Sequence, residues 1–309
     1  MRNGGAVTTA RIRHILCPID GSEPSLHALR QAVAVAKWSG AHVTVLHVAP
    51  LVYATMLEPG VAVADSIIDD TARLKRMMAR SVSKEAGADI DVEFDFQEGD
   101  IVKEIQSAVA RLGIDLIVIG THGVGGFAHL MLGSIAEKVL RQAACPVMTV
   151  PPRDVDVSRL PFERILCATD FSDCSLRAVE YAMAMAEQAG ARVVLAHVVE
   201  WPWIEPPPPA FETLPEEQAV ALAAFRAHEE LRSTERLKAL LPAGFEDHCA
   251  IRVVHGKPYE QILRVAFEEQ TDAIVLGVHG RRAVDLALFG STTNQLVRRA
   301  ACPVLTLRH

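Results

Sequence analysis

Two short stretches of this chain combine residue types that suit the binding of an anion. The first is Ile117-Val118-Ile119-Gly120-Thr121-His122-Gly123, with nine residues before Gly133-Ser134. The second is Val275-Leu276-Gly277-Val278-His279-Gly280, again with nine residues before Gly290-Ser291. Each begins as a short apolar run, the sign of a parallel strand buried on both faces. Each breaks at a glycine, turns through a second glycine and resumes at Gly-Ser ahead of an amphipathic segment. That segment reads as a helix start, where the first N–H groups lack intrahelical partners and the helix dipole is positive. Gly133 and Ser134 are read as offering free backbone N–H groups and a hydroxyl. Converging N–H donors with no Cβ atoms in the way are what a phosphate group needs.

Catalytic chemistry has less footing. Neither copy has a Walker lysine, no HExxH occurs, and no nucleophile stands beside a base. Gly120 and Gly123 do not complete G-x-G-x-x-G and follow a late strand, which disfavours a dinucleotide oxidoreductase. A cradle without placed chemistry describes a receptor, with at most slow ATP hydrolysis or self-phosphorylation. No residue is assigned a catalytic or metal-ligating role. His47 and His197 read as satisfied strand-end histidines, since no partner stands at ligand spacing. Asp20 and Asp170 end the first strand of each half and either belong to the site or cap the following helix. His122 and His279, in matched turns, read equally as ribose or phosphate contacts and as turn-stabilising groups.

The elements that position these residues follow from composition and pattern. A length of 309 residues suggests about two domains. Half the residues are hydrophobic and only 5% aromatic, which suits α/β layers. The net charge of −7 comes without a long basic run, which argues against direct binding to nucleic acid or an anionic membrane. Met1 to Ala10 lack the apolar centre of a signal peptide, and no segment runs apolar for about 18 residues, so a soluble, cytoplasmic protein without membrane insertion is expected. The six cysteines form no CxxC pair and read as reduced thiols, mostly in or beside apolar strands.

Strands are expected at 15–19, 43–48, 92–97, 115–119 and 145–150, with helices at 24–39, 101–112 and 134–143. A longer helix is expected around 65–86, with Ile67, Ile68, Leu74, Met77, Met78 and Val82 as its core stripe. Val92, Phe94 and Phe96 alternate with Glu93, Asp95 and Gln97, the pattern of an edge strand wet on one face. After a linker from Pro151 to Pro161 the plan repeats. Asp170, Gly190 and His197 stand 150 residues after Asp20, Gly40 and His47. Gly256, Asp272, Gly277, Gly290 and Cys302 stand 157 after Gly99, Asp115, Gly120, Gly133 and Cys145. The extra residues fall near Trp201 to Pro215, where Pro206 to Pro209 read as a stiff spacer in preference to a partner ligand. Residues 216–241 read as an amphipathic helix with charges outward.

In an open parallel sheet the ligand lies beyond the carboxyl ends of the strands, where strand order reverses. Asp20 and Gly120, and likewise Asp170 and Gly277, load that end of the first and fourth strands. If those strands are neighbours, the order is 3-2-1-4-5 in a doubly wound α/β sheet. The fifth strands, Val147 to Val150 and Val304 to Leu307, are too apolar for bare edges. Pairing them with each other would make the chain an internal pseudo-dimer.

The G-x2-G-x9-G-[S/T] pattern after an apolar strand, the Asp ending the first strand and the final C-P-V strand, each present twice, resemble the universal stress protein family in its tandem form. The resemblance covers two domains, 11–152 and 161–309. It implies an adenine-nucleotide-binding stress-response regulator or sensor, with ATP, ADP or AMP as ligand, with or without Mg2+. It places Asp20 with Ile19, and Asp170 with Thr169, at the adenosine end, and Val48 and Val198 in the adenine pocket. Gly120, His122, Gly123, Gly133, Ser134 and Ile135 would hold ribose and phosphates in the first domain. Gly277, His279, Gly280, Gly290, Ser291 and Thr292 would do so in the second. A protein partner and homo-oligomerisation, as a homodimer, are further expectations. Inside the nine-residue insert the second copy offers Arg281 and Arg282, so the copies are expected to differ in affinity or preferred phosphate count, unless those arginines only face solvent. The alternatives are a slow ATPase or nucleotide-transferring enzyme on the same fold, and a scaffold that binds no nucleotide.

Overall fold

Among the described residues strand and helix alternate in both halves of the chain as the apolar periodicity requires, apart from the stretch between residues 49 and 92. The structure, a computed structural model, describes residues 11–49, 76, 80, 90, 92–121, 132–152, 160–200, 216–279 and 290–308. These form two compact units, Arg11–Leu160 and Pro161–Leu307. The expected helix over 65–86 (Arg76 and Arg80 apart, both helical and exposed), the spacer Pro206 to Pro209, and His122, Gly123, Gly280, Arg281 and Arg282 lie outside the described residues.

The first unit runs β1 (His14–Pro18), α1 (Glu23–Ser39), β2 (His42–Ala49), β3 (Val92–Glu98), α2 (Ile101–Leu112), β4 (Leu116–Gly120), α3 (Ser134–Gln142) and β5 (Val147–Val150). The second runs β6 (Arg164–Ala168), α4 (Asp173–Ala189), β7 (Arg192–Val199), α5 (Glu216–Lys238), β8 (Cys249–His255), α6 (Pro258–Glu268), β9 (Ala273–Gly277), α7 (Ser291–Arg299) and β10 (Val304–Leu307). Within the first unit the strand order is β3-β2-β1-β4-β5, and within the second β8-β7-β6-β9-β10. The pairs in each unit are parallel. The order is the expected 3-2-1-4-5, and it reverses between β1 and β4 and between β6 and β9. Because a right-handed crossover changes face when the chain reverses direction, α2 and α3 cover the face opposite α1.

Local chemistry sets the element ends. Ser22 caps α1 by accepting from the Ser25 N–H, and Gly40 ends it with a left-handed φ of 70°. Ser172 and Gly190 (φ 65°) do the same for α4. Asp100 caps α2 through the Lys103 N–H at 3.0 Å. The central strands are apolar and fully buried, with Ile15, Leu16, Cys17, Ile165, Leu166 and Cys167 at 0% exposure. Asp115 and Asp272 hold the strand starts together across each sheet. Their carboxylates accept from the N–H groups of Arg13 and His14, and of Glu163 and Arg164.

Two expectations need correction. β3 does not present a plainly wet face: Glu93 is exposed, but Asp95 and Gln97 are half-buried. The cause is that Asp95 pairs with Arg111 and accepts from the Gln97 amide, so the outward polar groups cover one another. The outer face of α5 is not purely charged either. Val220, Phe225 and Leu231 are exposed there, while Ser233 and Leu237 are the buried positions. Among the described residues no helix is long and apolar enough to cross a membrane.

Candidate functional site

In each unit two neighbouring parallel strands end on the same side of the sheet, and the site residues follow directly. At the exit of β1, Asp20 accepts from the N–H of Ser22 at 3.0 Å and from its hydroxyl at 2.6 Å. Asp170 repeats this with Ser172 at 3.0 and 2.6 Å. The aspartate therefore does not cap the helix. It fixes the serine that does, and it keeps a carboxylate at the point where strand order reverses.

At the exit of β4 the chain leaves through Gly120 and Thr121, both buried, and returns at Leu132. The Gly133 N–H donates to the Thr121 carbonyl at 2.8 Å, and the Gly290 N–H to the Val278 carbonyl at 3.1 Å. Each insert is thus a loop with tied ends. This corrects the expectation that Gly133 offers a free N–H, because that donor closes the loop instead. The first helical N–H groups, which have no intrahelical acceptor, come one residue later, at Ser134 and Ile135, and at Ser291 and Thr292. The caps of α3 and α7 are Gly133 and Gly290, with no side-chain hydrogen bond, whereas α1, α2 and α4 are capped by Ser22, Asp100 and Ser172. Helix α6 also starts without a side-chain cap, behind Lys257 and with Pro258 in its first turn.

The glycines have packing reasons of their own. A Cβ on Gly277 would lie 2.9 Å from the Cys174 Sγ, 3.0 Å from its carbonyl carbon and 3.0 Å from the Ser175 nitrogen. The first turn of α4 crosses β9 at that point. A Cβ on Gly290 would lie 2.8 Å from the Val278 carbonyl oxygen that its own N–H binds. Both glycines permit close approach of backbone to backbone.

At the exit of β2, His47 donates from Nδ1 to the Ile19 carbonyl at 2.9 Å, and His197 to the Thr169 carbonyl at 2.7 Å. The N–H groups of Ile19 and Thr169 bond to the carbonyls of Leu46 and Ala196. Toward a ligand these two residues therefore offer the second lone pair of a carbonyl, since the Thr169 hydroxyl is taken up by Ser175 Oγ at 2.9 Å and by the Phe171 N–H at 2.9 Å. Val48 is buried and Val198 half-buried beside them. His279 is buried at 6% exposure. Among the described residues no group of His, Cys, Asp and Glu is arranged to hold a metal ion.

The two units differ at both ends of this crevice. Phe171 takes the place of Gly21, with φ 63° against 83°. A left-handed conformation costs a non-glycine residue roughly 1–2 kcal/mol. The Phe171 N–H donates to the Thr169 hydroxyl at 2.9 Å, its ring centroid lies 4.6 Å from that of His197, and the Arg236 guanidinium sits 3.7 Å over it. In the first turn of α3 stands Glu137, paired with Arg141 at 2.9 Å; the repeat-equivalent residue of α7 is Asn294. Sequence reasoning missed Phe171 and Arg236. The offset of 150 set Phe171 against Gly21, and that was the available signal.

Comparison with known proteins matches the Universal stress protein family at residues 11–151 and 161–308. A universal stress protein of Mycolicibacterium smegmatis is 28% identical over 308 residues, covering 95% of this chain and 96% of the relative. One of Thermus aquaticus is 34% identical over 148 residues, covering 48% of this chain and 99% of its own length. Among solved structures, a universal stress protein from Archaeoglobus fulgidus aligns over 97% of this chain and 99% of its own, with a TM-score of 0.64 and 25% identity.

Proposed function

Because the chain belongs to the universal stress protein family, we propose that each of its units binds one adenine nucleotide, ATP, ADP or AMP, and that the protein acts as a nucleotide-dependent stress-response regulator. The observation that carries this reading is the repeated crevice. In both units the Asp-x-Ser turn and a helix start with no side-chain cap stand at the same end of adjacent strands, where the order reverses. The uncapped N–H groups suit phosphates, with the dipole adding to the attraction. Asp20 and Asp170 stand where ribose hydroxyls would donate, and Val48 and Val198 supply apolar surface for a base. These donors and acceptors hold an anion and a sugar without moving a proton, which supports a receptor more than an enzyme. A protein partner, self-association and work in the cytoplasm complete the proposal, with Mg2+ entering as the usual companion of a triphosphate.

Titration calorimetry of nucleotide-stripped protein with Mg-ATP tests it, read for stoichiometry per chain. The informative variants are Ser134→Pro and Ser291→Pro. Proline is tolerated at the first helical position, and Gly133 (ψ 138°) and Gly290 (ψ 135°) already have the backbone that precedes it. Each substitution removes one N–H donor and one hydroxyl while keeping the helix. With charge-assisted hydrogen bonds worth about 1.5–3 kcal/mol, each should weaken one site by roughly 10- to 150-fold. Two sites that persist unchanged in the double variant would refute the proposed cradle. No binding of ATP, ADP or AMP would refute the nucleotide reading.

A further inference from the structure

We propose that Phe171 and Arg236 make the site of the second unit the tighter of the two for any ligand that carries a base. This inference rests on the reading of the units as nucleotide receptors and sets their order of filling.

Phe171 follows Asp170 directly, and its ring meets that of His197, which precedes Val198. The ring therefore bridges the exits of β6 and β7, the end of the crevice where Thr169, Asp170 and Val198 stand. Its contacts are with His197 at 4.6 Å and with the Arg236 guanidinium at 3.7 Å. Arg236 is exposed, and a base stacked on its guanidinium would lie on the side away from Phe171. Guanidinium planes stack on nucleic-acid bases as aromatic rings do, and a guanidinium already seated on a phenyl ring has less freedom to lose.

The first unit has the same turn without the platform. Gly21 adopts φ 83° with no side chain, and Ile19 stands where Thr169 supplies a hydroxyl. A phenylalanine at φ 63° is a genuine outlier. It is held by its N–H bond to Thr169 at 2.9 Å and by the two ring contacts, so hydroxyl, phenyl and guanidinium form one arrangement. The phosphate end changes in the same direction. Glu137 brings a carboxylate to the first turn of α3, where it competes with an anion for the dipole, although Arg141 offsets part of its charge. At the equivalent place α7 has the neutral Asn294.

Calorimetric titration of the whole chain reads this directly. With Mg-ATP, two classes of site are expected, with affinities roughly 10- to 30-fold apart. Phe171→Gly restores the residue that suits the backbone, so folding is not at risk, and it should bring the tight class within about threefold of the weak one. Arg236→Gln should do the same. Arg236→Lys, which keeps the charge and loses the plane, should follow Gln. Ser134→Pro should weaken the weak class by roughly 10- to 150-fold and spare the tight one. Inorganic tripolyphosphate has no base, and none of the variants at 171 and 236 should alter its binding. Equal ATP sites, an Arg236→Lys protein that binds as wild type does, or equal losses for tripolyphosphate and ATP would each overturn the platform and leave the nucleotide reading standing. Binding of no nucleotide at all would overturn both.

Discussion

Gly277→Ala separates what that glycine does for the fold from what it does for a ligand. The added Cβ would stand 2.9 Å from the Cys174 Sγ, 3.0 Å from the Cys174 carbonyl carbon and 3.0 Å from the Ser175 nitrogen. Real Cβ contacts almost never fall that short, and two of these atoms are backbone in the first turn of α4. Relief therefore requires α4 to shift against β9, since no flexible side chain can absorb the whole overlap. That turn is anchored by Ser172, which caps it, and by the Cys174 thiol, which donates to the Leu307 carbonyl at 3.0 Å. Overpacking costs about 1–3 kcal/mol, and the anchoring argues for the upper part, about 2–3 kcal/mol. For a unit of this size the melting temperature should fall by roughly 4–12 °C. Scanning calorimetry and urea titration without nucleotide measure it. Adding Cys174→Ala removes only the sulfur overlap and should recover less than half of the loss. A Gly277→Ala protein within about 0.5 kcal/mol of wild type, but with ATP affinity lost at one site, would refute the packing argument. The glycine would then be kept for the ligand.

Two further perturbations address the opposite end of the sheets. His14 donates from Nδ1 to the Leu112 carbonyl at 3.2 Å and accepts at Nε2 from the Thr44 hydroxyl at 2.8 Å, with the His42 ring 4.8 Å away. Burial first, then His42, lowers its pKa below the ordinary 6.5, so its contribution to stability is present above about pH 6.5 and is lost as pH falls through the lowered value. Urea midpoints at pH 7.5 and 5.5 should show the first unit weakening, and His14→Gln should flatten that slope; an unchanged slope would refute the assignment. Asp272→Ala strands the N–H groups of Glu163 and Arg164, which its carboxylate binds at 2.7 and 2.8 Å. Because water can reach them, about 1–2 kcal/mol of the second unit's stability should be lost in the same titration, and a loss below about 0.5 kcal/mol would refute the role.

What was legible in the sequence followed the reach of each interaction. Strand order could be read because site-like residues end the first and fourth apolar runs and because Val92 to Gln97 alternate. The caps could be read too, since Ser22 and Ser172 bond within three residues of themselves. The N–H of Gly133 could not, because its partner is the Thr121 carbonyl across a loop, and residue types carry no record of how a loop closes. Arg236 was equally hidden, since its contact joins the far end of α5 to a turn 65 residues earlier. The face of α5 misled because the helix is rich in alanine and turns Arg226 and Glu229, half-buried, toward the fold. Charge outward was a fair default, and this helix departs from it.

The duplicated halves also show which bonds tolerate change. Asp20 and Asp170, His47 and His197, and Asp115 and Asp272 all bind backbone groups, and in both units they do so at closely similar distances. Their partners are positioned by the fold itself, so a substitution would leave a backbone donor or acceptor to be satisfied by something else. The differences include places where one side chain meets another or meets solvent: His14 and His42 against Arg164 and Arg192, Ile19 against Thr169, Gly21 against Phe171, and Glu137 against Asn294. Three of the substitutions, at 169, 171 and 294, border one crevice and act in the same direction. Two receptors tenfold apart in affinity respond across about one more decade of ligand concentration than two equal ones. On the proposed reading, a tandem chain with unequal sites would report a graded nucleotide level, where two identical copies would only repeat the same reading.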